Sequence, residues 1–216
     1  MYSPRAQKIQ QAIALLAIAG SVAALKISVG LPPTIIVGAS AMIGFLCWRK
    51  TNLRQPITPE RTAILFLITT AALHVHMYEE YTRRFGPAMS RLLAISFSDT
   101  GFLRIFVFIL PIVYYLTAIG LLLRIPLAGF VAWFIFIGPG VAEFTHFIFP
   151  LLRPAIQPDT PGTITAAVSN GRIVAEMRNY WVHTTGRYYF PGLYTAILPM
   201  VPGIWGIRRL LRASRQ

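Results

Sequence analysis

Histidine and glutamate recur at helical spacing in two short stretches of this 216-residue chain, and no other residues are better placed to do chemistry. The first stretch holds His74, His76, Glu79 and Glu80, and the second holds Glu143 and His146. The whole chain has 4 histidines and 7 acidic residues, and three of each fall here, so these groups are gathered rather than scattered. Positions three and four apart share a helix face, which sets His76 with Glu79 and Glu80, and Glu143 with His146. His74 is turned about 160° from His76 and is expected to pack or cap elsewhere.

Imidazole and carboxylate together suit a transition metal such as iron, manganese or zinc. Inward-facing glutamates with a Glu-x-x-His pair build helical di-iron sites, and Glu143 and His146 supply one such pair. The other stretch has the reversed order, His-x-x-Glu-Glu, so a single ion on His76, Glu79 or Glu80, and His146 fits as well as two, with Glu143 a further candidate ligand. Three other uses of the same residues stay open. Glu79, Glu80 and Glu143 are candidate catalytic carboxylates for metal-free acid and base work, because paired carboxylates in low dielectric titrate apart. A proton-coupled transporter uses the same residue types. The plain alternative is a structural network in which Glu79 and Glu80 pair with Arg83, Arg84 or Arg104.

The elements that carry these residues are apolar. The chain is 55% hydrophobic and 12% charged, where a soluble domain would carry about 25% charged residues. Spans long enough for a bilayer need about 20 apolar residues. The sequence offers about six of them, over 11–29, 34–48, 61–81, 101–123, 127–152 and 188–207. The expected architecture is all-α, a single integral membrane helical bundle over 1–216. Leu31-Pro32-Pro33 and Arg124-Ile125-Pro126 read as turns, Pro111 as a kink and Gly138-Pro139-Gly140 as a break in the fifth span. A semi-polar stretch after the third span suits an interfacial helix around Met89 to Phe97. The connection 153–187 is polar, and Ile173, Val174, Met177 and Trp181 recur in it at the spacing of an amphipathic surface helix.

The third and fifth spans run in one direction through the bilayer. His76 lies 15 residues after Arg61 and Glu143 lies 16 after Leu127, so the two stretches reach the same depth within about one helical turn. The sixth span starts on that side and brings Tyr189, Pro191 and Gly192 as candidate lining of a substrate pocket. His183, Asp99 and Arg104 lie near the same side.

The formal net charge is +13, but the basic residues sit at the edges of apolar runs, where they set topology rather than bind nucleic acid. Eleven of them fall on the side of the termini and nine on the other, which places both termini in the cytoplasm and the protein in the cell (inner) membrane. The tail arginines, Arg208 to Arg215, face anionic lipid heads. Arg5 and Lys8 before an apolar run resemble a signal peptide, but the run continues to Val29, which favours an uncleaved first helix. Cys47 is the only cysteine, so no internal disulfide forms.

His76-Met77-Tyr78-Glu79-Glu80 matches the His-x-x-Glu-Glu signature of the HXXEE-domain proteins, small multipass membrane proteins, and the chain resembles that family. Tyr189-Phe190-Pro191-Gly192-Leu193-Tyr194-Thr195-Ala196 is similar to its Tyr-x-Pro-Gly-x-x-Thr-Ala segment, and His146 matches a histidine late in the preceding span. The resemblance covers the third span to the sixth. The first two spans and the long connection before Tyr189 depart from the family pattern. It implies a shared polar site and brings no substrate with it. Together these features lead to the expectation of a metal-dependent membrane enzyme acting on a lipid-like or hydrophobic small molecule.

Overall fold

The computed structural model describes residues 3–54, 59–156 and 179–213, together with the pairs 168–169 and 172–173. Its helices are α1 (Pro4–Ser28), α2 (Leu31–Lys50), α3 (Pro59–Thr82), α4 (Phe85–Leu93), α5 (Asp99–Leu122), α6 (Pro126–Leu151), α7 (Val182–Thr185) and α8 (Ile197–Ala213). Four of these, α1, α2, α5 and α6, are long and apolar enough to cross a membrane. α3 has the length but carries the histidines and glutamates, and α8 has 17 residues with Pro202 inside. Large apolar side chains such as Leu16, Ile27, Phe108 and Leu116 point outward. Burying that surface requires lipid rather than water.

Local chemistry explains the helix ends. Ser3 caps α1 by accepting from the Ala6 amide, with Pro4 in the first turn. Leu31-Pro32-Pro33 opens α2 instead of preceding it. Proline is at home there, because a first-turn amide has no helical acceptor to lose. The α1–α2 corner is made by Gly30 at φ +128°, which lies against Ile95. The helix expected around Met89 begins at Phe85 and stops at Ala94, in the left-handed region at φ 52°. Ser90 then holds the returning chain at both groups of Phe97: its Oγ accepts from the amide and donates to the carbonyl.

Two long helices depart from α geometry where proline demands it. In α5 the segment Leu103–Ile109 is wound as a π-helix, and the Leu110 amide reaches back to the Ile105 carbonyl. The wider turn makes room for the Pro111 ring, which would otherwise strike the carbonyl four residues earlier. In α6 the stretch Phe136–Val141, containing Gly138-Pro139-Gly140, is also π, and Ala142–Phe147 tightens to a 3₁₀-helix.

The sixth expected span is displaced. Residues 187–190 are irregular, 191–196 form turns, and the helix begins only at Ile197. Pro191 cannot join a ladder, and Gly192 sits at φ +92°, a conformation that interrupts a helix. The expected surface helix over Ile173 to Trp181 is not formed at its ends: Arg172–Ile173 pairs antiparallel with Val168–Ser169, and 179–180 are irregular. Val174, Glu176 and Met177 lie outside the described residues.

The helices meet around α8. It packs against α3 and against the π segment of α6, while α2 and α5 flank α6 and α1 lies against α2. The core is aromatic, with Phe66 set edge-on to both Tyr114 and Phe136 and with Phe45, Trp48 and Phe130 in a second cluster. Trp48 and Trp181 are buried, whereas Tyr81 and Trp205 are exposed. Buried Trp48 donates to the Pro126 carbonyl and Trp133 to Asn52, so their indole N–H groups are satisfied. α6 and α8 cross at Gly140 and Gly203, where a Cβ on Gly203 would stand 3.0 Å from the Gly140 Cα. Gly203→Ala is therefore expected to destabilise the bundle by about 1–3 kcal/mol through overpacking, read as a lowered thermal midpoint in detergent.

Candidate functional site

α3 presents His76 and Glu80 one turn apart on its buried face. α6 presents Glu143 and His146 from its 3₁₀ turn, in which residues three apart eclipse, so both side chains leave in one direction. The four meet between the helices. His76 Nε2 is 3.6 Å from Glu80 Oε1 and 3.2 Å from Glu143 Oε2, and His146 Nε2 is 3.4 Å and 3.1 Å from the same two oxygens. All four atoms lie within 4.8 Å of one another. Histidine and glutamate thus alternate around a closed ring.

The ring is nearly sealed. The side chains of His76, His146 and Glu80 are 1%, 2% and 6% exposed, and Glu143 alone shows more, at 19%. Phe85, Phe149 and Phe190 pack around the His146 imidazole, and the two histidine rings stand edge to face with centroids 4.7 Å apart.

The turn segment before α8 closes the site from its far side. The Pro191 carbonyl accepts from His146 Nδ1 at 2.9 Å, and Thr195 Oγ1 meets His76 Nδ1 at 3.0 Å. Gly192 is pressed onto both rings. A Cβ there would fall 2.6 Å from His146 Cε1 and 2.8 Å from His76 Cε1.

Glu79 is not part of the ring. It turns about 100° away from Glu80 on α3 and clasps the 189–195 segment. It accepts from the Tyr189 hydroxyl at 2.9 Å, the Thr195 amide at 2.9 Å, the Thr195 hydroxyl at 2.7 Å and the Tyr194 amide at 3.4 Å. So of the residues singled out by sequence, His76, Glu80, Glu143 and His146 converge, and Glu79, Tyr189, Pro191 and Gly192 form the clasp around them. Thr195 is the contact that spacing does not reveal. It lies in the Tyr-x-Pro-Gly-x-x-Thr-Ala segment, which is the one signal for it in the sequence.

The remaining polar groups stand apart. His74 is exposed and bonds the Thr70 carbonyl through Nδ1, and His183 bonds the Leu151 carbonyl. Arg84 pairs with Asp99 at 3.1 Å, and Arg104 is exposed. No ion pair joins Glu79 or Glu80 to an arginine among the described residues. The arginine network is therefore not what holds these carboxylates.

Comparison with family models, with curated proteins and with solved structures finds no match for the chain.

Gly192→Ala combines a left-handed backbone with a collision on both imidazoles. It is expected to cost about 2 kcal/mol or more, seen as a large drop in thermal midpoint or loss of folded protein. Tyr189→Phe removes one of the four donors to Glu79 and is expected to cost only about 1 kcal/mol by the same measurement.

Proposed function

We propose that this is a six-span membrane protein of the HXXEE-domain type in which His76, Glu80, Glu143 and His146 hold one divalent transition ion, iron, manganese or zinc. The observation that carries this reading is the convergence of four electron-pair donors within 4.8 Å. Neighbouring ligand atoms around one ion with bonds of about 2.0–2.1 Å stand about 3–3.4 Å apart. The four histidine–glutamate separations, 3.1 to 3.6 Å, lie close to that range. The charge also balances, since two carboxylates and two neutral imidazoles neutralise a dication, and a neutral assembly is the cheap one to bury.

α3 and α8 complete the six spans. The 24 residues of α3 extend for about 36 Å and those of α8 for about 25 Å at the usual rise. The site residues of α3 are turned inward, and along its middle the outer face is apolar apart from His74, whose Nδ1 bonds the Thr70 carbonyl. Both termini then lie in the cytoplasm, with the site towards the opposite face of the cell membrane.

We assign to it an enzymatic role on a lipid-like or hydrophobic small molecule, since its surroundings are aromatic and its helices are immersed in lipid. The ion would supply Lewis acidity and an acidified water. Glu143 is the most exposed of the four; its release from the ion, with Glu80 and the two histidines held fixed, would open a position for water and free its carboxylate to accept a proton. The metal-free alternative rests on the same distances, with protons on the two Nε2 atoms balancing the carboxylates.

Metal analysis of detergent-purified protein decides between them. Near-stoichiometric iron, manganese or zinc is expected in the wild type and a loss of most of it in both His76→Ala and His146→Ala. Absence of metal after reconstitution, with all three proteins equally stable, would remove the metal reading.

A further inference from the structure

The hydrogen bonds of Thr195 can be assigned a direction. Glu79 receives four donors, two of them amides that can only donate, and each of its oxygens is engaged twice. Its carboxylate is thus an acceptor throughout. The Thr195 hydroxyl has one proton and spends it on Glu79 Oε2 at 2.7 Å. The same oxygen lies 3.0 Å from His76 Nδ1, and with its proton committed it can only accept there. His76 must carry its proton on Nδ1.

His146 reaches the same state by a different route, because a carbonyl oxygen, that of Pro191, faces its Nδ1. The two rings therefore turn their Nε2 atoms towards Glu80 and Glu143 for the same electronic reason. His76 Nε2 is buried, and its nearest carboxylate oxygen is Glu143 Oε2 at 3.2 Å.

We infer that Glu79 and Thr195 are positioning residues: a carboxylate–hydroxyl–imidazole relay that fixes His76 as a ligand through Nε2 and raises the basicity of that nitrogen. Its effect on affinity rests on the metal reading above, whereas its effect on the ring does not. Such outer partners fix ring orientation and tautomer in metal sites generally, and losing one costs about 10–100-fold in affinity. Here the relay also joins α3 to the approach of α8, so assembly of the bundle and ligand orientation are one event.

Two measurements test it. Histidine ¹⁵N spectra of the metal-free protein, simplified by His74→Gln and His183→Gln, report which nitrogen of each site ring is protonated. Both rings are expected to carry a proton on Nδ1. A ring with a bare Nδ1 would overturn the relay, since the Pro191 carbonyl forces the proton onto His146 Nδ1 and the exception would be His76. The second measurement is Zn²⁺ affinity by chelator competition. Thr195→Val keeps the shape and removes the hydroxyl, and about 10–100-fold weaker binding is expected, with Thr195→Ser restoring most of it. Equal affinity in wild type and Thr195→Val would refute the relay's role at the ion. A wild type that binds none of Zn²⁺, Fe²⁺ and Mn²⁺ would refute the proposed function instead, leaving the ring spectra to decide the relay.

Discussion

Two carboxylates and two imidazoles, buried together with one oxygen or nitrogen of each facing the others, cannot be stable by themselves. Like partial charges at about 3 Å repel strongly in a medium of low dielectric. Something positive must sit among them, an ion or protons, and the surrounding protein is arranged to keep them aimed regardless. Glu79 holds the 189–195 segment, that segment holds both histidine rings, and the rings hold the register of α3 against α6. The bundle is built outward from this constraint.

The irregular parts of the helices serve the same end. In a regular α-helix Glu143 and His146 would diverge by about 60° around the axis. The 3₁₀ turn after Gly138-Pro139-Gly140 removes that divergence. The delayed start of α8 has a similar logic. A helix beginning at Tyr188 would spend its amides and carbonyls on its own ladder. The turn leaves the Pro191 carbonyl and the Thr195 amide free to bind His146 and Glu79.

Much of the site was legible in the sequence because helical spacing is a strong constraint. The pairs His76–Glu80 and Glu143–His146 follow from position alone, and the equal depth of the two stretches follows from the lengths of the spans that carry them. The separation of Glu79 from Glu80 was not legible. Adjacent glutamates share neither face nor fate, and which one faces inward depends on the surface that α8 and its turn present. The π segments of α5 and α6 were marked only by their prolines, since a wide turn and a kink look alike in one dimension. The start of α8 was missed because Tyr188 to Ala196 is apolar enough to pass for helix. What stops it is the conformation of Gly192 and the contacts of its neighbours.

The composition of α3 bears on how the chain enters a membrane. As the span proposed above, α3 would bring two buried ring members and Glu79 into the bilayer before α6 and α8, which follow it in the chain, exist to receive them. Each charged group at membrane depth costs at least about 2.5 kcal/mol when unpaired, which is why α3 is not among the helices apolar enough to cross unaided. Its stable residence as a span would therefore wait on translation of α8. Until then α3 would need the shelter of the insertion machinery or a shallow place at the interface, which would make assembly of the bundle late and cooperative rather than helix by helix.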